Sequence, residues 1–226
     1  RYPASSYVSE YYWSQLQNNN QYVRNHLIQS LSMDVKFNDY LSWNTLGGMD
    51  YTITEHEVSN KVNRPLAEKA LQGYYGLKSI RYATYYAQTA LQYNQSFDEK
   101  WNLSGMIGGA VKRNSMDSQD TYIKEEFAIE NWFSFSNTTN ANGAKSSRER
   151  GKDLLLSVYA SAQLAYDNAV YLEVQARNDW SSILPPENNH YFYPGASLSW
   201  IFSETFELPS VFSFGKVRAS WADVGR

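Results

Sequence analysis

The sequence predicts an all-β fold, a transmembrane antiparallel β-barrel wall, on three observations. Apolar and polar side chains alternate with a two-residue period in segment after segment. The connections between segments alternate short and long, and aromatic residues gather beside the short ones. Successive side chains of an extended strand point to opposite faces, so the period describes a surface with one greasy side and one wet side.

Eight extended segments are expected, in order. Over 26–37, Leu27, Leu31, Met33, Val35 and Phe37 alternate with Ser30, Ser32, Asp34 and Lys36. Over 41–55, Leu41, Trp43, Thr45, Met49, Tyr51 and Ile53 alternate with a polar set from Ser42 to Thr54. The third segment, 76–94, is bounded by turn signals on both sides. In 101–113, Trp101, Leu103, Ile107 and Val111 alternate with Asn102, Ser104, Gly108 and Lys112. The fifth, 152–166, ends at a tight Asp167, Asn168 pair. In 169–179, Val170, Leu172, Val174 and Ala176 alternate with Tyr171, Glu173, Gln175 and Arg177, so charges sit inside the repeat. In 191–203, Phe192, Ala196, Leu198, Trp200 and Phe202 alternate with Tyr193, Gly195, Ser197, Ser199 and Ser203. The last is 214–223.

A soluble sheet with one solvated face has the same period, so the connections decide between the two. They are expected to alternate strictly. Short turns fall at 38–40, 94–100, 167–168 and, compactly, around 204–209. Long excursions run over 56–75, with a helical turn opened at Pro65, over 114–151 and over 180–190. Outer-membrane barrels sort their loops in this way, and a sandwich has no reason to. Phe37, Tyr40 and Trp43, then Tyr93, Phe97 and Trp101, then Tyr166 and Tyr171, then Phe202 and Phe206 flank the short turns as a girdle at one interface. Cross-strand aromatic pairing is the alternative explanation. Strand direction then places both ends of the chain on the external side, which reads as a section of a larger barrel, with an autonomous eight-stranded barrel as the alternative. The opening residues 1–25 read as the tail of an external loop with one helix from about Ser9.

Composition sets further bounds. The chain has 226 residues, 16% of them aromatic with 19 Tyr and 7 Trp, at a mean hydropathy of −0.57. No run of about 18 apolar residues is present, so a span through lipid requires strands. A net charge of −3 argues against a broad nucleic-acid footprint. The absence of cysteine excludes disulfides and thiolate metal sites. No cationic, apolar, small-residue leader opens the sequence, so any export signal is expected to lie outside it or to have been removed.

From Ala176 the chain reads ARNDWSSILPPENNHYFYPGASLSWIFSETFELPSVFSFGKVRASWADVG. This resembles the barrel signature of the SusC/RagA family of TonB-dependent outer-membrane transporters. MDVKFNDYLSWNTLGGMDY, SFDEKWNLSGMIGGAVKR and SVYASAQLAYDNAVYLEVQARNDWSS resemble strand pairs of the same family in the same order. The resemblance implies a barrel of roughly 22 strands with a plugged lumen, of which residues 1–226 supply about eight from the middle. The family's plug domain and TonB box match nothing here. It further implies active import of oligosaccharides or peptides across the outer membrane of a Gram-negative, Bacteroidetes-like bacterium. The resemblance also implies a SusD-like surface lipoprotein that lids the mouth and a TonB complex that supplies energy through the plug.

No catalytic constellation stands out, so no enzyme is expected. His26, His56 and His190 lack ligand spacing, and solvated positions are the better reading. Gly105, Gly108 and Gly109 do not open a helix as a phosphate loop does, and read as relief of crowding in a curved strand. Asp117, Asp120, Glu125 and Glu126 form an acidic external loop that could take calcium but lacks EF-hand order; no other cofactor is expected. The apolar loop 123–136, with Phe127, Ile129, Trp132, Phe133 and Phe135, is expected to fold against other loops, the lumen or a partner. Arg177, Asp179, Trp180, Tyr191, Tyr193 and Trp132 are the candidate substrate-contacting or lumen-facing residues. Arg177, Glu173 and Gln175 face the lumen by parity, where they contact either the plug or the transport path. Against a role in selecting ligand, RNDWSS belongs to the family motif, so Asp179 and Trp180 equally shape the strand-to-loop transition. A passive outer-membrane channel and a soluble all-β carbohydrate-binding module are the competing functions.

Overall fold

A computed structural model describes Tyr12 and residues 16–61, 73–124, 127–139, 143–206, 209 and 212–224. Eight strands follow in chain order: β1 (Asn19–Lys36), β2 (Leu41–Asn60), β3 (Tyr74–Phe97), β4 (Trp101–Lys124), β5 (Ala144–Tyr166), β6 (Val170–Ser181), β7 (His190–Trp200) and β8 (Val217–Ala222). They form one antiparallel sheet in which spatial order equals sequence order. Sequential antiparallel pairing of this kind needs only hairpins, and all three short turns supply them.

Turn chemistry is local. Asn38 Oδ1 accepts hydrogen bonds from the backbone N–H groups of Tyr40 (3.1 Å) and Leu41 (2.8 Å), an Asx turn between β1 and β2. Asp167 and Asn168 both have positive φ, 51° and 52°, as in the mirror-image turn whose twist matches the flanking strands. The Ala169 N–H closes it on the Tyr166 carbonyl at 2.9 Å.

Several strands run well past the expected limits. β1 begins at Asn19 rather than near 26, β2 continues to Asn60, β4 reaches Lys124 rather than 113, and β5 starts at Ala144 rather than 152. In these stretches both faces carry polar residues, as in Lys112 to Ser115, so the hydrophobic period fades while the backbone ladder continues. The helix expected from about Ser9 falls largely outside the described residues; Leu16 and Gln17 are helical, and β1 follows at once. The helical turn at Pro65 lies outside them entirely. The last connection departs from strict alternation. β7 stops at Trp200 and β8 starts at Val217, so 201–216 is long and holds a 3-10 turn at Phe202–Glu204. Ile201 N–H bonds to the Ala169 carbonyl (2.7 Å), ending the β7 ladder beside the β5–β6 turn.

The chain divides into two compact units. One comprises Ile28–Met49, Thr84–Asn114 and Asp153–Arg226. Its β5–β8 register sets Leu164, Leu172, Leu198 and Ala219 in one cross-strand row and Ala162, Val174, Ala196 and Trp221 in the next. Leu172 is 46% exposed, Leu198 50% and Trp221 62%. Among the described residues nothing covers this face, whereas a sandwich would bury it. Aromatic pairs sit at its short-turn end: Trp101 against Tyr166 (4.5 Å between ring centroids), Tyr40 against Tyr93 (5.8 Å) and Trp200 against Phe206 (5.8 Å).

The other unit comprises Arg1–Leu27, Asp50–Ala83 and Ser115–Lys152. Its polar face is laced across strands: His56 Nε2 lies 2.6 Å from Asn20 Oδ1, and His26 Nε2 lies 2.8 Å from Asp50 Oδ1. Residues 127–139 fold around Asn137, which is 1% exposed. Its Oδ1 accepts the Ile129 N–H (2.8 Å), and its Nδ2 donates to the carbonyls of Ile129 (2.7 Å) and Trp132 (2.5 Å). Phe133 and Phe135 pack on Tyr75 at 5.8 and 4.8 Å, so the apolar loop folds against the start of β3.

Candidate functional site: a groove on the polar face

The register that builds the apolar rows builds polar ones on the opposite side. Tyr159 of β5, Arg177 of β6 and Tyr193 of β7 are direct cross-strand neighbours. One step toward the β6–β7 loop lie Ser157, Asp179 and Tyr191; two steps the other way lie Gln163, Glu173 and Ser197. Directly opposed side chains sit about 4.5–5.5 Å apart at Cβ, so each row acts as a single patch.

Arg177 is the hub of these rows. Its Nε donates to Asp179 Oδ1 (2.7 Å) and its Nη2 to Ser157 Oγ (3.0 Å), which fixes the guanidinium between β5 and β6. Asp179 is 18% exposed and Arg177 47%, so the cation keeps a water-facing surface while its carboxylate partner is covered. Tyr191 and Tyr193 stack with an interplanar angle of 20° and 6.4 Å between centroids. Ser197 Oγ donates to Glu173 Oε2 at 3.3 Å.

A groove of about 600 Å³ runs over this face, with Tyr86, Lys112, Tyr159, Gln175, Arg177 and Tyr193 along it. Glycine makes room for its walls. A β-carbon on Gly108 would fall 2.8 Å from two ring carbons of Tyr159 and 2.5 Å from the Thr89 carbonyl oxygen. Only hydrogen at that position lets the Tyr159 ring lie across β4. Phenol rings, a half-exposed guanidinium, an ammonium and amides give this surface donors, acceptors and flat ring faces.

Four of the six candidate residues share this face: Arg177, Asp179, Tyr191 and Tyr193. Trp180 does not. The register pairs it with Leu156 and His190, on the side of Leu172 and Leu198 and opposite the face of Arg177. Trp132 belongs to the other unit, on the loop anchored at Tyr75, and is 50% exposed. Tyr159, Tyr86 and Lys112 were not singled out from sequence. The tight turn after Tyr166 carried the signal for Tyr159, because counting back from it pairs 159 with 177. Asp117 and Asp120 lie within β4 at opposite parity rather than in a loop; Arg148 holds Asp117, and Glu125 and Glu126 fall outside the described residues.

No family model matches the chain. The TonB-dependent receptor P26 of Formosa agariphila is 24% identical to it over 143 residues, which cover 61% of this chain and 14% of that protein. A chain of the RagAB peptide transporter superposes on 94% of this chain with a TM-score of 0.85 at 17% identity. The RagAB peptide importer in its closed-closed state gives the same score. BauA, the ferric preacinetobactin receptor from Acinetobacter baumannii, matches 82% of the chain with a TM-score of 0.52 and 12% identity. The chain spans about a quarter of the RagAB chain and 30% of the BauA chain, so the likeness is to a section of each barrel.

Proposed function

We propose that this chain, whose fold is that of part of a SusC/RagA-like TonB-dependent barrel, forms wall and lumen lining of an outer-membrane importer for peptides or oligosaccharides. The single observation that carries the reading is the opposition of two faces on one set of strands. An uncovered aliphatic face suits lipid, and the opposite face bears a groove of tyrosines around Arg177. On this reading Arg177, Asp179, Tyr191 and Tyr193 line the path, where rings stack on sugars or peptide planes and Arg177 and Lys112 attract carboxylates. A SusD-like surface lipoprotein covers the external mouth, a partnership supported by the likeness to the two-component RagAB transporter. TonB coupling acts through a plug supplied by other parts of the full-length protein.

Disruption of the gene in its own bacterium, with uptake of labelled oligopeptides and oligosaccharides measured with and without a protonophore, tests the proposal. Uptake of one class is expected to fall on disruption and to stop when the proton gradient is dissipated. Uptake that survives the protonophore identifies a passive channel instead. Recovery of the protein in the soluble fraction without detergent overturns the membrane reading.

A further inference from the structure

Beside the Arg177 groove, toward the short-turn end, the polar face carries a second cavity of about 360 Å³, with Gln92, Asn94, Ser104, Gln163 and Glu173 around it. Met106 and Ser161 line both, so groove and cavity are continuous. All of these residues belong to one compact unit.

Charge is divided between the two ends. The groove is lined by the cations Lys112 and Arg177 and by no carboxylate, whereas the cavity is lined by the carboxylate Glu173 and by no cation. Asp179 offsets Arg177 at 2.7 Å, which leaves Lys112 as the excess positive charge of the groove. Glu173 accepts from Ser197 Oγ at 3.3 Å and has no ion-pair partner among the described residues. It is half-buried, and a carboxylate drawn partly out of water gains more from an incoming cation than one in bulk solvent does. Arg177 and Glu173 share one face of β6 at a separation of about 13 Å, at roughly 3.3 Å per residue. Gln175 lies between them opposite Gly195, and its amide both donates and accepts.

We infer that the Glu173 cavity is an ammonium subsite, and that cavity and groove together hold a short peptide by its two ends. The terminal carboxylate sits at Lys112 and Arg177, and the terminal ammonium at Glu173. This rests on the import reading above and narrows its cargo to peptides with free termini. An extended chain covers at most about 3.3–3.6 Å per residue, so a tetrapeptide matches the separation of the charges. Gln175 then meets the peptide planes, and the rings of Tyr159 and Tyr193 flank the carboxylate end. A neutral oligosaccharide uses neither charge, and an acidic one uses only one end.

Calorimetric titration of the full-length protein in mild detergent with tetraalanine, its N-acetyl form and its C-terminal amide tests the inference. The wild type is expected to bind the free peptide about five-fold or more tighter than either blocked form, since each block removes a charge-assisted hydrogen bond. Dialanine, too short to reach both ends, should also bind more weakly. Glu173→Gln is expected to erase the difference between free and N-acetylated peptide while keeping that between free and amidated peptide, and K112A/R177Q to do the reverse. Should either variant fail to reach the membrane, the ranking of the four ligands by the wild type decides. Equal affinity of the wild type for free and N-acetylated peptide, an equal loss for all peptides in Glu173→Gln, no binding of any of the peptides, or tighter binding of a neutral tetrasaccharide overturns the inference. Each of these leaves the importer standing if disruption of the gene still abolishes uptake. Peptide and oligosaccharide uptake both unchanged on disruption defeats the import reading instead.

Discussion

Leu172 and Gln175 stand three residues apart on β6 and face opposite ways. Leu172 lies in a row with Leu164 and Leu198, and Gln175 packs beside Gly195, where a β-carbon would come within 3.0 Å of its Nε2. Leu172→Arg is therefore expected to cost about 2–4 kcal/mol near the bilayer midplane, and Gln175→Arg to be nearly neutral. Equilibrium unfolding of the full-length protein in lipid vesicles checks this, and equal penalties would refute the assignment of faces. At this scale much was legible in the sequence. The parity that separates Leu172 from Gln175 needs no tertiary information, and it also puts Trp180 beside the leucines. What parity cannot give is the distance between neighbours, such as the Tyr159 ring lying over Gly108.

Elements differ in how they are held, and two make distinct predictions. The loop 127–139 turns on Asn137, whose amide satisfies one N–H and two carbonyls out of water. Asn137→Ala should cost about 1–3 kcal/mol locally by leaving these groups unpaired, read as faster proteolytic nicking of the loop with the strands intact. The long-loop ends of β4 and β5 are joined at Asp117 and Arg148. Hydrogen bonds from Arg148 hold the Asp117 carboxyl below the usual carboxylate range, opposed by a smaller desolvation and aided by the charges of Arg148, Arg150 and Arg81. A depressed folded-state pKa gives stabilisation that is present above the ordinary carboxylate range and disappears as pH falls through the depressed value. Amide exchange at Thr121 and Ser146 should accelerate over that acidic window in the wild type, and Asp117→Asn should abolish the pH dependence. These extended strand ends were illegible in sequence for a physical reason. With water on both faces, no hydrophobic period marks them, and only cross-strand hydrogen bonds such as Thr121 Oγ1 with Ser146 Oγ (3.0 Å) declare the sheet.

For the whole molecule, the proposed path predicts that function and folding separate by face. Arg177→Gln should reduce uptake several-fold while the amount of protein in the outer membrane stays unchanged. Trp180→Ala, on the apolar side, should leave transport per molecule unaltered. Uptake normalised to protein in purified outer membranes distinguishes these outcomes, and equal effects would remove Arg177 from the path. The sequence by itself determined the eight strands, the alternation of their faces, the tight turn at Asp167–Asn168 and the resemblance to SusC/RagA barrels, because strand period and turn chemistry are local. Only the tertiary structure decided the pairing of Tyr193 with Arg177, the 201–216 connection, the anchoring of the 127–139 loop on Tyr75, and the union of Asp117 with Arg148. Each of these joins residues from different strands or stretches of chain, and which residues become neighbours is set by register and packing rather than by any single segment.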